Sequence, residues 1–143
     1  ETSFVKNKDT NERCILCGIC VRVCEAVGAR AISTIGRGVI KQVAVPLAEE
    51  DLSTCVGCLS CAHACPTGAI PFEESANARN IWNINFAVAR CPKCGKPLGT
   101  PQQLKHFAEE AGLDESYFEL CNDCTNRVAA DKYASVTFVQ SKK

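Results

Sequence analysis

Cysteine is the residue type with the clearest chemical signature in this sequence of 143 residues, because its twelve cysteines stand mostly in short, regularly spaced groups. One spacing occurs twice, first at Cys14, Cys17, Cys20 and Cys24 and again at Cys55, Cys58, Cys61 and Cys65. Cysteines this close in sequence are poor disulfide partners for one another, but they can bind a common metal centre. The repeated spacing therefore predicts metal binding in a reducing compartment instead of a disulfide framework.

In each repeated unit the fourth cysteine is set apart from the first three by a longer interval, and in the second unit it is followed by Pro66. This is the pattern with which two-cluster ferredoxins bind [4Fe–4S] clusters, and there the fourth cysteine binds the other cluster. Applied here, the pattern implies cluster I at Cys14, Cys17, Cys20 and Cys65, and cluster II at Cys55, Cys58, Cys61 and Cys24. A pair of zinc sites is the competing interpretation, but zinc pairs its cysteines as separate knuckles. In the first unit Glu25 stands where the proline is expected, without loss of a ligand.

The two units, at about residues 12–72, resemble the dicluster ferredoxin fold. The sequences RCILCGICVRVCEAVGARAI and TCVGCLSCAHACPTGAI resemble the ferredoxin-like modules of the large iron–sulfur subunit of complex I, iron-only hydrogenases and formate dehydrogenases. They are less similar to small bacterial ferredoxins. The resemblance implies an α+β fold in which a cysteine loop, a helix and a strand repeat with pseudo-twofold symmetry. Gly18 and Gly57 are predicted to allow the tight turns of the two cysteine loops.

The segments after each cysteine unit contain strand signals. Residues 31–35 and 39–45 are rich in β-branched side chains and are separated by a glycine-containing turn, which predicts a hairpin. In residues 73–90 the polar first half predicts a loop, and the alternating second half predicts a strand with one apolar face. That face would carry Trp82, Ile84, Phe86 and Val88. We expect it to pack onto the cysteine module, with Trp82 covering the core.

The last third of the chain has helical signals. Thr100 and Pro101 suit the N-cap and first position of a helix that Gly112 would end. A second helix is predicted from Cys121 to Tyr133, followed by a strand over residues 135–139. The expected organisation is a dicluster domain at 1–76, a connector at 77–90 and a four-cysteine module at 91–143.

A third group of cysteines defines this C-terminal module: Cys91, Cys94, Cys121 and Cys124. Two such knuckles make a tetrahedral site, and on chemistry alone structural zinc is favoured over a third cluster. The whole chain resembles the small iron–sulfur subunits of tungsten enzymes, namely class II benzoyl-coenzyme A reductase and the related aldehyde oxidoreductases and hydrogenases. That resemblance implies a third [4Fe–4S] cluster at these four cysteines, and it makes the cluster the preferred interpretation, with zinc as the alternative.

Charge and the remaining motifs limit the possible functions. Lysine and arginine together equal aspartate and glutamate at 16 each, so no basic excess exists to hold nucleic acid. The sequence contains no convincing nucleophile–base pair or phosphate-binding loop, which predicts a non-catalytic role. We also expect no targeting segment and no membrane span, and therefore a cytoplasmic protein. The predicted function is an electron-transfer subunit that serves the catalytic subunit of a tungsten- or molybdenum-type reductase, in a complex that also uses an electron donor or acceptor protein. The alternatives are a free ferredoxin shuttle and a metal-containing regulator that binds nucleic acid.

Overall fold

The computed structural model describes residues 13–46 and 54–140, with side chains up to residue 134. All twelve cysteines lie within these ranges. The first part of the chain contains the helices α1 (Ile19–Ala26) and α2 (Ser60–His63) and the strands β1 (Ser33–Ile35) and β2 (Gln42–Ala44). The middle contains β3 (Phe72–Glu74), β4 (Ala78–Ile81) and β5 (Ile84–Ala87). The last part contains β6 (Ala89–Arg90), β7 (Pro97–Gly99), α3 (Pro101–Ala111) and α4 (Asn122–Gln140).

The predicted hairpin after the first cysteine unit is confirmed. Strands β1 and β2 pair antiparallel, with Ser33 opposite Ala44 and Ile35 opposite Gln42. Both strands are shorter than the sequence indicated, because Gly38–Ile40 forms a 3-10 turn between them. The side chains of Val39 and Ile40 in that turn are exposed.

The middle of the chain differs from the prediction in its first half. Residues predicted as a loop contain most of β3 and all of β4, which pair antiparallel in a three-stranded sheet of order β3-β4-β5. These strands carry polar side chains, so they lack the apolar alternation from which a strand is predicted. They are stabilised instead by cross-strand pairs, such as the ion pair between Glu74 and Arg79 on the sheet surface. Trp82 and Asn83 form the tight turn between β4 and β5, both with left-handed backbone angles (φ 56° and 62°). Trp82 therefore does not share a strand with Ile84 and Phe86.

The main hydrophobic core lies between this sheet and the two cysteine units. Its sheet side consists of four buried side chains, from Ile81, Trp82, Ile84 and Phe86. These pack against a buried cluster that includes Cys20, Cys24, Leu59 and Cys61. The prediction that an apolar face of the connector covers the cysteine module is thus confirmed, although Trp82 reaches the core from a turn.

The C-terminal part begins as predicted and ends differently. Thr100 caps α3 by accepting a hydrogen bond from the Gln103 backbone N–H, and Gly112 ends the helix in a left-handed conformation. The predicted strand over residues 135–139 is wrong, since α4 continues to Gln140. The β-branched residues there lower helix propensity by only a few tenths of a kcal/mol each, about what a helix already nucleated tolerates. No helix in residues 13–46 or 54–140 has the length and apolar composition needed to cross a membrane.

Candidate metal centres

A cavity beside α1 brings together cysteines from both repeated units. Its lining includes Cys14, Cys17 and Cys20 from the first unit and Cys65 from the second. Apolar side chains complete the wall, among them Ile15, Val43, Ile70 and Trp82. Four sulfur donors around a mostly apolar cavity form a site that suits a soft metal centre, with Cys17 on its exposed side.

The remaining cysteines of the two units also approach one another. Cys61 interacts electrostatically with Cys55 and Cys58 of its own unit and with Cys24 of the first unit. Burial, reinforced by these neighbouring sulfurs, raises the pKa of Cys61 to about 12 and that of Cys55 to about 11. Because burial disfavours isolated thiolates, the group needs a bound cation to hold its sulfurs in the charged form.

The two cysteine loops share unusual backbone angles at equivalent positions. Leu16 and Gly57 each lie one residue before the second cysteine of their unit, and both have a left-handed φ (55° and 65°). Gly18 and Leu59 follow that cysteine and are left-handed as well (70° and 61°). Glycine makes such angles easy, so Gly18 and Gly57 were recognisable from sequence. The two leucines were not, because nothing in a leucine marks a left-handed turn.

Hydrogen bonds to sulfur are a second feature that the sequence did not reveal. The backbone N–H of Ala31 donates to Cys24 Sγ at 3.2 Å, and that of Ala69 donates to Cys65 Sγ at 3.3 Å. Thr67 Oγ1 lies 3.6 Å from the same Cys65 sulfur. Burial opposes ionisation of Cys65, but the hydrogen bonds from Thr67 and Ala69 outweigh it and lower the pKa of the thiol. Such donors stabilise sulfur ligands in their charged form.

Trp82 contacts both cysteine groups. Its ring lines the cavity that contains Cys20 and Cys65, and its side chain interacts with Cys61 of the other group, whose pKa it lowers against the larger effect of burial. The indole Nε1–H is buried and has no hydrogen-bond partner among the described residues. The indole thus interacts with Cys61 without forming a full hydrogen bond to the neutral thiol. The sequence favoured a core position for Trp82 over a role as an interface anchor, and it did not indicate this contact with sulfur.

The third cysteine group is the most compact. The sulfurs of Cys91, Cys94, Cys121 and Cys124 all lie within 4.8 Å of one another. The first pair belongs to the turn between β6 and β7, and the second pair lies at the start of α4. Cys91 and Cys124 are buried and Cys94 is exposed. Within the described ranges, no other group of three or more histidine, cysteine or acidic side chains brings its ligand atoms this close.

The electrostatics of the third group are asymmetric. The backbone N–H of Cys121, helped by those of Cys94 and Lys93, lowers the pKa of Cys91 to about 6. Burial and the neighbouring sulfurs raise the pKa of Cys124 to about 12. An ion pair between Lys96 and Asp123 joins the two knuckles beside the sulfurs. The site therefore combines amide donors with a nearby cation, as a negatively charged metal–thiolate centre requires.

Comparison with known proteins finds a family match in the first part of the chain. Residues 13–69 match the 4Fe-4S dicluster domain. The match supports [4Fe–4S] clusters in the two cysteine units. It ends well before the third cysteine group, which stands outside the matched range.

Two relatives extend the comparison. A subunit of the NADH-quinone oxidoreductase of Rhizobium meliloti is 38% identical over 87 residues, which are 58% of this chain but only 10% of that protein. A subunit of the ferredoxin/F(420)H(2)-dependent CoB-CoM heterodisulfide reductase of Methanosarcina acetivorans is 28% identical over 112 residues, 71% of this chain and 69% of that protein. Both relatives are named as subunits of redox enzymes. Neither name specifies a tungsten enzyme.

Proposed function

We propose that this protein passes single electrons between a donor and the catalytic subunit of a redox complex, through two [4Fe–4S] clusters. Cluster I is bound by Cys14, Cys17, Cys20 and Cys65, and cluster II by Cys55, Cys58, Cys61 and Cys24. The observation that carries the proposal is the first cavity, where a cysteine of the second unit joins three of the first. Each cluster supplies one-electron redox chemistry when bound.

The chain itself supplies insulation and tuning. The half-buried Val43 and the buried Ile70 shield part of the cluster I cavity from water, which lowers its polarity and favours the less charged oxidation state. The amides of Ala31 and Ala69 have the opposite effect, because hydrogen bonds to ligand sulfurs stabilise the more negative, reduced state. The balance of these two contributions would set the potential at which each electron moves.

The repeated backbone angles of the cysteine loops support a pseudo-twofold arrangement of the two units, which we include in the proposal. The division into a dicluster domain at 1–76, a connector at 77–90 and a C-terminal module at 91–143 is also proposed. The proposed boundary at residue 76 falls between β3 and β4, and these two strands pair with each other across it.

The partner is proposed from resemblance and relatives together. The families that the sequence resembles and the two relatives are mostly subunits of redox enzymes. This supports a hetero-oligomeric complex with a catalytic redox subunit and a second electron-carrying protein. The resemblance to the small subunits of class II benzoyl-coenzyme A reductase supports a partner among tungsten- or molybdenum-type reductases. We propose a cytoplasmic location, because cysteines that bind metal centres at this density are typical of proteins in a reducing compartment.

The crossed ligand sets give the sharpest test. Cys65→Ala should alter the same electron paramagnetic resonance signal of the reduced protein as Cys17→Ala, although the two residues belong to different units. Cys24→Ala and Cys58→Ala should alter the other signal as a second pair. If instead Cys65→Ala grouped with Cys58→Ala, the crossed assignment would be wrong. A reduced protein without any iron–sulfur signal would contradict the function itself.

A second experiment distinguishes a subunit of a redox complex from a free ferredoxin shuttle. Purification from the native source without a tag on the partner should give the chain in a stable complex with a larger redox subunit. A monodisperse, separately active chain would instead identify a ferredoxin shuttle, and salt-dependent binding to DNA would identify a regulator.

A further inference from the structure

The distances in the third cysteine group limit the size of the centre it can hold. A zinc ion about 2.3 Å from each of four thiolates places their sulfurs about 3.8 Å apart in a tetrahedron. The observed sulfurs lie within 4.8 Å of one another, and those of Cys94 and Cys121 are 3.4 Å apart. The group therefore already has the dimensions of a single tetrahedral ion.

A [4Fe–4S] cluster requires a wider site. Its four thiolates each bind a different iron atom of the cube, so they must stand farther apart than the ligands of one ion. The two proposed cluster sites provide an internal comparison, because no three of their sulfurs come as close together as those of the third group. Within one chain, two cysteine groups have the wider spacing and the third does not.

The surroundings of the third group suit a structural site. Its two cysteine pairs come from segments far apart in sequence. The ion pair between Lys96 and Asp123 connects these segments beside the sulfurs. Four thiolates around a divalent ion leave a net charge of −2, and the Lys96 ammonium, although paired with Asp123, also interacts favourably with Cys94 and Cys121. With four cysteine ligands the coordination shell is complete, as in structural zinc sites.

We infer that Cys91, Cys94, Cys121 and Cys124 bind one zinc ion that joins β6 and β7 to α4, and not the third [4Fe–4S] cluster implied by resemblance. Binding converts the protonated thiols of the group to thiolates and releases their protons to water, with no change of oxidation state. Zinc does not transfer electrons, so the electron path within this chain consists of two clusters. The inference rests on the proposed function only for the two clusters with which the site is compared.

Metal analysis of the intact chain tests this inference. The protein should be produced anaerobically with iron and sulfide in excess, so that zinc does not enter by default. We expect about one zinc, eight irons and eight sulfides per chain, at four irons for each cube. X-ray absorption at the zinc edge should show a single sulfur shell at about 2.3 Å and no iron neighbour. About twelve irons and twelve sulfides without zinc would overturn the inference, and a ninth iron in place of zinc would overturn the choice of ion.

Two matched variants separate this site from the clusters. Cys94→Ser changes the exposed ligand and should lower bound zinc several-fold, while about eight irons and both iron–sulfur signals remain. Cys58→Ala should remove or alter one cluster and leave zinc at one per chain. Loss of about four irons in Cys94→Ser would contradict the inference. A chain with zinc but no iron would contradict the proposed function and leave the zinc site standing.

Discussion

Thr100 Oγ1 donates a hydrogen bond to the backbone carbonyl of Val56, and the two residues are 44 positions apart in sequence. Thr100 is completely buried, and Val56 lies between Cys55 and Cys58 in the second cysteine loop. The same hydroxyl accepts the hydrogen bond that caps α3. One side chain thus starts the C-terminal helix and attaches it to a loop that carries cluster ligands.

Replacing this hydroxyl should destabilise the fold at that junction. Thr100→Val keeps the shape of the side chain but leaves the Val56 carbonyl and the Gln103 N–H without their partner. We expect a loss of about 1–3 kcal/mol in the free energy of unfolding. Thr100→Ser retains the hydroxyl and should lose much less. Chemical denaturation of the metal-loaded protein measures both, and equal losses would show that the methyl group matters instead of the hydrogen bond.

Gly57 should be far less replaceable than Gly18, although both have left-handed angles in equivalent loops. A Cβ on Gly57 would lie 2.8 Å from the ring of Phe86, whereas one on Gly18 would meet nothing within 4 Å. Alanine at either position carries the left-handed penalty of about 1–2 kcal/mol. Only Gly57→Ala adds a clash with the sheet that covers the cysteine units. We expect a lower unfolding midpoint and lower iron content for Gly57→Ala than for Gly18→Ala, and similar values would argue that the ring moves freely.

Arg79 connects three parts of the chain and should be sensitive even to a conservative change. It pairs with Glu74, donates to the Gly57 carbonyl at 2.7 Å and donates to Gln103 Oε1 at 3.1 Å. Lysine retains the charge but lacks the planar fork that reaches several acceptors at once. Arg79→Lys should therefore lower the free energy of unfolding by about 1–2 kcal/mol. The exposed Arg127 provides the control, since Arg127→Lys should change stability little. A stable Arg79→Lys variant would mean that the charge alone suffices.

Trp82 should tune one cluster more than the other. Its buried N–H has no hydrogen-bond partner among the described residues, its side chain interacts with Cys61, and in the proposed cluster II the Cys61 sulfur is a charged acceptor. Trp82→Phe retains an aromatic ring but removes the donor, so the reduced state loses stabilisation and the midpoint potential falls. A loss of about 1 kcal/mol corresponds to about 40 mV for one electron. Potentiometric titration should show this shift for a single cluster, the one altered by Cys58→Ala.

A packing variant provides the control for Trp82. Phe86→Leu changes the same core without touching a hydrogen-bond donor, so it should lower the thermal midpoint while both potentials stay close to the wild-type values. If Phe86→Leu shifted the same potential as strongly as Trp82→Phe, burial of the cluster and not the N–H would be the cause.

Some features could be predicted from the sequence because they depend only on residues that are close together along the chain. The cysteine spacing, the hairpin after the first unit and the helix between Thr100 and Gly112 all belong to this class. Each is specified by residues within a few positions of one another, through ligand reach, turn chemistry or capping. Strand β4 was not predicted, because it is stabilised by partners on adjacent strands and not by its neighbours along the chain. Its polar residues show no apolar alternation.

Features that depend on distances between remote segments could be read only from the folded chain. The spacing of Cys91, Cys94, Cys121 and Cys124 predicted a four-sulfur group, but not how far apart the sulfurs lie. That spacing follows from how the turn after β6 packs against the start of α4. Trp82 likewise reaches both cysteine groups because the turn between β4 and β5 folds over them. Sequence specifies which donor atoms are present, whereas packing sets the size of the space between them, and that size decides which centre they can bind.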